Sequence, residues 1–547
     1  MNYKELADLL YPDVTTTIED LEKKYPPRNL KEGAEVCRFA PSPTGRMHMG
    51  NLYASFVPEV MAKQTGGVFI LRIEDTDDKR AIENGVELIL CDLENFNYIV
   101  DEHPIKGGNY GPYIQTARKD IYHTVAKYLV SIGRAYPCFC SEDDLNLMRE
   151  KQERKKHRIG YYGPYAKCRD LSIDEVKKHL ENKDKWVLRL KSMGDFNKKF
   201  TFKDLVKGVI ELPENDIDQV LIKSDGIPPY AFAHVCDDHF MRVTTVTRDD
   251  SYISSVPYHL EIWNACGFKA PKFAHLLPLN KKDNGTIRKI SKRKDPEAAV
   301  AFYHERGIPN EAIKLYFATI MNSNFEGWYQ QNQDKTYRDF TFNYNKMSTS
   351  GSLFDLDKLI NISKNYLSKL TKDEIYSNLL NWAKDYDKDF ADLLVNQKEI
   401  ALPTLNIERE QKKPRKDFAS YSDIKPQIWY MFDELYEKEK KEYDYQKITD
   451  EEEIKKILKL YLDKYLKLDS KDEWFENIKK LSENLGYAKD MKDYKDNPDN
   501  YKGNVADIST VLRVALTTRS MTPDLYEIMK ILGKEKVVKR YNQIINN

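Results

Sequence analysis

The residues best able to do chemistry begin near the N-terminus, in RFAPSPTGRMHMGN from Arg38 to Asn51. His48 offers an imidazole donor that can reach a phosphate oxygen, and Gly50 lets a ligand approach the backbone closely. From Asn51 onward, Leu52, Phe56, Val60 and Met61 recur at helical spacing, which predicts a helix there. The N-terminus of that helix would aim its positive dipole end and unpaired N–H groups at the preceding turn, a ready site for phosphate. A second anion-binding candidate lies far downstream: Lys281 to Lys294 holds seven basic residues and one acidic. A third basic run, Arg149 to Arg158, holds six basic and two acidic residues and reads equally as a solvated helix face.

The elements around the first stretch are what must position it. Val36 to Ala40 is an apolar run that reads as a buried strand. Pro41 and Pro43 forbid helix next to it, and Thr44-Gly45 makes a tight turn. Gly66-Gly67 stops the helix, and Val68 to Ile73 is a second strand, so the unit is of βαβ type. Further on, Lys79 to Asn97 is expected to be helical, with Ile82, Val86, Ile89, Leu90 and Leu93 on its apolar face. A helix over Tyr122–Ile132 should end at Gly133. Ser141 caps a charged helix, and Ser172 with Glu175 forms a capping box. Val220–Ile222 and Val243–Val246 read as strands of a buried parallel sheet. FAHLLPL is expected to be its last strand, leading directly into the lysine-rich loop. From Asp295 the periodicity turns helical, and residues 371–547 are helix after helix.

Composition narrows the function classes. The chain has 547 residues, enough for three or four domains, with 87 basic and 87 acidic residues. No global basic field advertises nucleic acid, so any RNA contact must be local. No segment of 18 apolar residues is present, which argues against a membrane span, and there is no secretory leader pattern. Seven cysteines, an odd count, do not read as a disulfide framework. A cytoplasmic location is expected.

PSPTG-x-x-H-x-G followed by RIEDTD resembles the first signature of the class I aminoacyl-tRNA synthetases, most closely the bacterial glutamyl-tRNA synthetases. Lys289-Ile290-Ser291-Lys292-Arg293, about 240 residues on, resembles their second signature. The resemblance is strong over 36–320, weak over 330–500, and clear again over 509–540. It implies an α/β Rossmann-like class I catalytic domain carrying an inserted α+β acceptor-binding domain, followed by an all-α C-terminal anticodon-binding domain. The implied division is an N-terminal helical extension over 1–35, catalytic halves over 36–135 and 219–300, the insertion over 136–218, a helical stem-contact domain over 301–370, and the anticodon domain over 371–547. Standard family members begin almost at the first strand, so the polar extension is a departure.

The resemblance also implies the chemistry and its residues. L-Glutamate is activated with ATP and Mg2+ and passed to the 3′ end of tRNA, which is gripped at its acceptor end and its anticodon. His48, Lys289 and Lys292 take the catalytic roles. Pro41, Gly45, Gly50, Asn51, Ile290, Ser291 and Arg293 join them around ATP. Arg38, Ala40, Ser42, Glu74, Tyr230 and Arg248 receive glutamate, in keeping with bidentate arginine for carboxylates and a carboxylate for the ammonium. Cys138, Cys140 and Cys168 resemble the zinc knuckle of some relatives. Three thiols leave a fourth position for Tyr165 or Asp170, and three free thiols in a small insertion is the other reading. Three departures touch the pocket: Asn51-Leu52 after Gly50, Asp249-Asp250-Ser251-Tyr252 after Arg248, and His234 where asparagine is usual. A monomer is expected. The rivals are a glutaminyl-tRNA synthetase, against which the helical C-terminus argues, and a catalytically silent tRNA-binding paralogue, which the intact lysines and histidine oppose.

Overall fold

Short apolar runs become strands and the longer periodic stretches become helices. The computed structural model describes residues 2–546, except 77–81, 284, 292–293 and 350–351. Its strands, in chain order, are β1 (Val36–Phe39), β2 (Val68–Leu71), β3 (Ala135–Cys138), β4 (Val187–Leu190), β5 (Lys199–Asp204), β6 (Gly208–Pro213), β7 (Val220–Ile222), β8 (Thr245–Asp249), β9 (Lys272–Leu276), β10 (Leu279–Asp283), β11 (Thr286–Lys289) and β12 (Ser352–Leu353). The main sheet runs β2-β1-β8-β9-β5-β6. β1 is buried along its whole length, as a strand covered on both faces must be. It pairs in parallel with β2 from Val36↔Val68 to Phe39↔Leu71, and with β8 at Cys37↔Thr245. β8 and β9 continue the parallel order.

Four expectations about this region need correction. Val220–Ile222 is a strand, but β7 pairs antiparallel with β4 in a separate sheet, β3-β4-β7, rather than joining the parallel one. The insertion expected over 136–218 is not wholly separate either, because its hairpin β5–β6 extends the main sheet through Asp204↔Phe273. β9 does not lead directly into the lysine-rich loop: an antiparallel hairpin, β10–β11, stands between them. The helix expected over Lys79–Asn97 is Gly85–Asn95, entered through Asn84 at φ 58°, and Ile82 lies before it and is exposed; residues 79–81 lie outside the described residues.

The N-terminal extension is less polar than it reads. Helices Tyr3–Leu10 and Ile18–Lys24 bury Leu6, Leu10, Leu21 and Tyr25 in one core with Ile121, Val125 and Leu129 of helix Lys119–Ser131. Glu22 then pairs with His239 at 2.7 Å, and Arg28 grips Glu102 at 2.7 and 2.8 Å.

The chain forms two compact units, Met1–Val300 with Lys314–Asp355, and Ala301–Ile313 with Leu356–Asn547. The division therefore does not follow the expected borders at 301 and 371. Within the second unit the described residues are helical, around a core that includes Leu379, Ile457, Leu481, Leu512 and Tyr541. Several arginines and tyrosines in and beside the segment 509–540 are interior. Tyr526 and Tyr541 are buried. Arg540 lies 3.6 Å from the Tyr436 ring and donates to the Tyr430 and Leu516 carbonyls. Among the described residues no helix is long and apolar enough to cross a membrane.

Candidate active site

The site is built at the C-terminal ends of β1 and β8 and the head of helix Met49–Gln64. His48 is the N-cap of that helix, and its Nδ1 accepts the Asn51 amide at 3.1 Å. That bond places the ring proton on Nε2, the donor a phosphate oxygen needs. It also explains Gly50 in a way the spacing did not, since a Cβ there would stand 2.8 Å from the His48 ring. Asn51 thus supplies a backbone group that orients the histidine. Gly45 closes the preceding turn at φ +129°, which favours glycine. Pro41 ties the turn to the second strand by accepting the Glu74 amide at 3.0 Å, while Ser42 is exposed and Ala40 half-buried.

Beneath this turn lies a buried layer of charge. Arg38 sends Nε to Asp238 at 3.1 Å and Nη1 to the Thr247 carbonyl at 3.1 Å. Arg72 pairs with Asp238 at 2.6 Å, Glu74 at 3.1 Å and Asp237 at 3.6 Å. Arg118 pairs with Asp237 at 2.5 Å, and the Tyr122 hydroxyl donates to the same carboxylate. Three arginines therefore face three carboxylates, as buried charges must. His234 completes the layer, with Nδ1 at 2.8 Å from Asp238 Oδ2. Burial pushes its pKa down to about 4, so the ring is neutral. Burial also pushes the Glu74 carboxyl up to about 7, against the pull of Arg72 and Arg38. Asp237, Asp238, Arg72 and Arg118 were not singled out from sequence. The signal was present: His234 and Asp238 stand four residues apart, on one helical face.

Arg248, on β8, is held differently. It is 7% exposed. Its Nε donates to His275 Nε2 and its Nη1 to His259 Nδ1, each at 3.0 Å, and Nη2 is buried without a hydrogen-bond partner. Burial lowers the pKa of both imidazoles, so neutral rings hold the guanidinium. No carboxylate among the described residues forms an ion pair with it. Tyr252 lies against it at 5.4 Å; Tyr230 stacks on His234 at 5.3 Å and meets the Tyr252 ring at a tilt, also at 5.3 Å. Arg38 and Tyr230 interact electrostatically with each other, and each also does so with Glu74 and with Arg248. The structure thus brings these four expected residues together.

The lysine-rich loop approaches from β11. Lys289 is exposed and pairs with Asp249 at 2.7 Å; Asp249 also accepts the Ser251 amide at 3.0 Å. One departure from the family pattern therefore contacts one expected catalytic lysine. Ile290 is buried, its amide donating to the Leu279 carbonyl. Ser291 donates its amide to Asp295 at 2.9 Å. Arg288 binds Asp295 through two nitrogens, each at 2.7 Å, and so closes the loop base. Lys292 and Arg293 lie outside the described residues.

Comparison with known proteins decides the family. Residues 35–361 match the model of the class I tRNA synthetases (E and Q), catalytic domain, and residues 499–545 match an anticodon binding domain. A glutamate–tRNA ligase from Acetivibrio thermocellus is 49% identical, with all of both chains covered. One from Clostridium perfringens is 44% identical, again with full coverage. The chain belongs to the class I glutamate–tRNA ligases. A crystal structure of a glutamate tRNA ligase from Elizabethkingia meningosepticum in complex with its amino acid superposes with a TM-score of 0.76. It is 25% identical, over 94% of this chain and 99% of that one. The chain is therefore an aminoacyl-tRNA ligase with the expected fold class, and its family uses ATP and Mg2+.

The thiols of Cys138, Cys140 and Cys168 all lie within 4.8 Å of one another. Neither residue expected at the fourth position reaches them. The Tyr165 hydroxyl is 2.7 Å from His157 Nδ1, and Asp170 pairs with Lys191 at 3.0 Å. The Tyr161 hydroxyl stands there instead, 3.4 Å from Cys140 and accepting the Cys168 amide at 3.0 Å. Hydrogen bonds from the other two thiols hold Cys138 well below the usual thiol range.

Proposed function

We propose that this chain charges tRNA with glutamate through the pocket at the ends of β1 and β8, with the residue roles that follow. In the first step an α-carboxylate oxygen of glutamate attacks the α-phosphorus of ATP, the bond to pyrophosphate breaks, and glutamyl-adenylate forms. In the second, a ribose hydroxyl of the terminal adenosine attacks the acyl carbon and AMP leaves. Both steps need positioning and neutralisation of phosphate charge more than proton transfer by side chains. His48 Nε2 and the head of helix Met49–Gln64 face the phosphates. Pro41, Gly45, Gly50 and Asn51 shape the turn around the nucleotide, and Lys289 and Lys292, with Ile290, Ser291 and Arg293, bring the cationic loop onto it. Mg2+ enters with ATP.

Glutamate lies with its side-chain carboxylate on Arg248 and its ammonium toward Glu74. Tyr230 lines the pocket, and Arg38, Ala40 and Ser42 border it from the first strand. The observation that carries this reading is Arg248, buried, cationic and left without a carboxylate partner. A buried cation of that kind is costly unless an anion joins it. Residues 371–547 would read the anticodon, and the chain would act as a cytoplasmic monomer. The test is charging of tRNA by the purified protein with labelled glutamate and Mg-ATP. Failure with glutamate, or equal charging with glutamine, would remove the reading.

A zinc ion fits the thiol cluster. Two Zn–S bonds of about 2.3 Å in a tetrahedron put their sulfurs about 3.8 Å apart, and the Cys140 and Cys168 sulfurs are 3.7 Å apart. Zinc there would brace the segment after β3 and take no part in catalysis. Metal analysis after dialysis, with Cys138→Ser as control, tests it.

A further inference from the structure

We infer that Asp204 and His275 are positioning residues for glutamate selection, holding the Arg248 guanidinium in the direction from which it receives the substrate's side-chain carboxylate. The inference rests on the reading of Arg248 given above. Asp204 ends β5, on the hairpin that joins the main sheet at its edge, and faces β9 through Asp204↔Phe273. Its Oδ2 lies 2.6 Å from His275 Nδ1 and 3.1 Å from the His275 amide. A carboxylate accepts only, so the ring proton is on Nδ1 and Nε2 keeps its lone pair. That lone pair accepts from Arg248 Nε at 3.0 Å. The three side chains are buried, at 1%, 0% and 7% exposure.

The chain's chemistry suits a receptor. A carboxylate in direct contact with Arg248 would neutralise it and compete with the substrate. An imidazole fixes the direction of Nε–H without cancelling the charge. The negative charge of Asp204 is placed one bond further away, where it also accepts the Val206 and Lys207 amides at 2.9 and 2.8 Å. His259 fixes Nη1 from another side, on helix Val256–Ala265. What is left is Nη2, buried without a hydrogen-bond partner, on a guanidinium that also feels Tyr230. The segment between the catalytic halves thereby contributes a residue to amino-acid choice.

The test compares Asp204→Asn, His275→Phe, His275→Gln, the Asp204→Asn/His275→Phe double variant and Arg248→Ala in the full-length chain with tRNA and Mg-ATP. Asp204→Asn turns an amide N–H toward Nδ1, moves the ring proton to Nε2 and sets donor against donor at Arg248, the wrong-tautomer effect known from catalytic triads. KM for glutamate should rise roughly 10- to 100-fold in Asp204→Asn and in His275→Phe, the range expected when a charged group loses a hydrogen bond. KM for ATP should stay within about 2-fold, since uniform loss of fold would move both. The double variant should be no worse than His275→Phe alone, because both act through one chain of contacts. His275→Gln, which keeps an acceptor, should recover part of the loss. Unchanged glutamate KM in a folded Asp204→Asn, parallel rises for ATP and glutamate, or additive losses in the double variant would overturn the inference. Arg248→Ala separates the two levels: normal glutamate dependence there overturns the reading of Arg248 itself and the positioning role with it.

Discussion

Arg38 and Arg248 stand on neighbouring parallel strands, β1 and β8, and their charges are met in opposite ways. At the Arg38 end, three arginines face Glu74, Asp237 and Asp238, and each has a carboxylate partner. At the Arg248 end, two neutral imidazoles hold the guanidinium and no described carboxylate pairs with it. Both arrangements bury cations, but only the first gives each arginine a carboxylate partner among the described residues. The difference separates a floor from a receptor.

Breaking the floor should cost most. Asp238→Ala leaves Arg38 and Arg72 buried without their shared partner, and unfolding stability should fall by about 3–5 kcal/mol. Urea denaturation measures it, and a loss below about 1 kcal/mol would mean the layer is not what holds these strands in register. Breaking the receptor should leave the fold intact. Arg248→Ala should raise the KM for glutamate by roughly 100-fold or more, the range for truncating one partner of a buried charge pair, with the melting temperature little changed. A comparable loss of stability in both variants would erase the distinction.

A pH series sharpens it. With the Glu74 carboxyl pushed up to about 7 by burial, the group is protonated below that pH and ionised above it. The substrate ammonium needs the ionised form, so glutamate KM should rise as pH falls from 8 to 6, by roughly 10-fold at one unit below the midpoint. His234, down at about 4, stays neutral throughout this window and does not contribute. A flat glutamate KM would show that Glu74 does not meet the ammonium. The smallest effect is expected at the rim. Lys289 is largely exposed, so its pair with Asp249 is screened by solvent. Asp249→Ala should therefore change ATP KM only a few-fold; a change beyond about 20-fold would make this contact part of the nucleotide site.

The local devices of this fold were legible in the sequence. The helix after His48, the N-cap at Ser141 and the capping box at Ser172 depend on residues within a few positions of one another, and they form as expected. What was not legible depends on distance along the chain. That Arg38 is held by Asp238 could not be read, because the two are 200 residues apart. Val220–Ile222 announced a strand by composition, but nothing in three apolar residues says which sheet it joins. The N-terminal extension looked polar because Leu6, Leu10, Leu21 and Tyr25 are scattered among charges, and only folding gathers them against helix Lys119–Ser131. Asp204 and His275 gave no signal at all, being two ordinary residues until β5 is laid beside β9.

The central claim is that the uncompensated charge of Arg248 chooses a carboxylate. Its most direct test is the ratio of kcat/KM for glutamate over glutamine, measured in the tRNA-charging reaction for the wild-type chain and for Arg248→Gln. The account predicts that the ratio collapses toward one in the variant while ATP KM and melting temperature hold. A folded Arg248→Gln that keeps the wild-type preference for glutamate would contradict it.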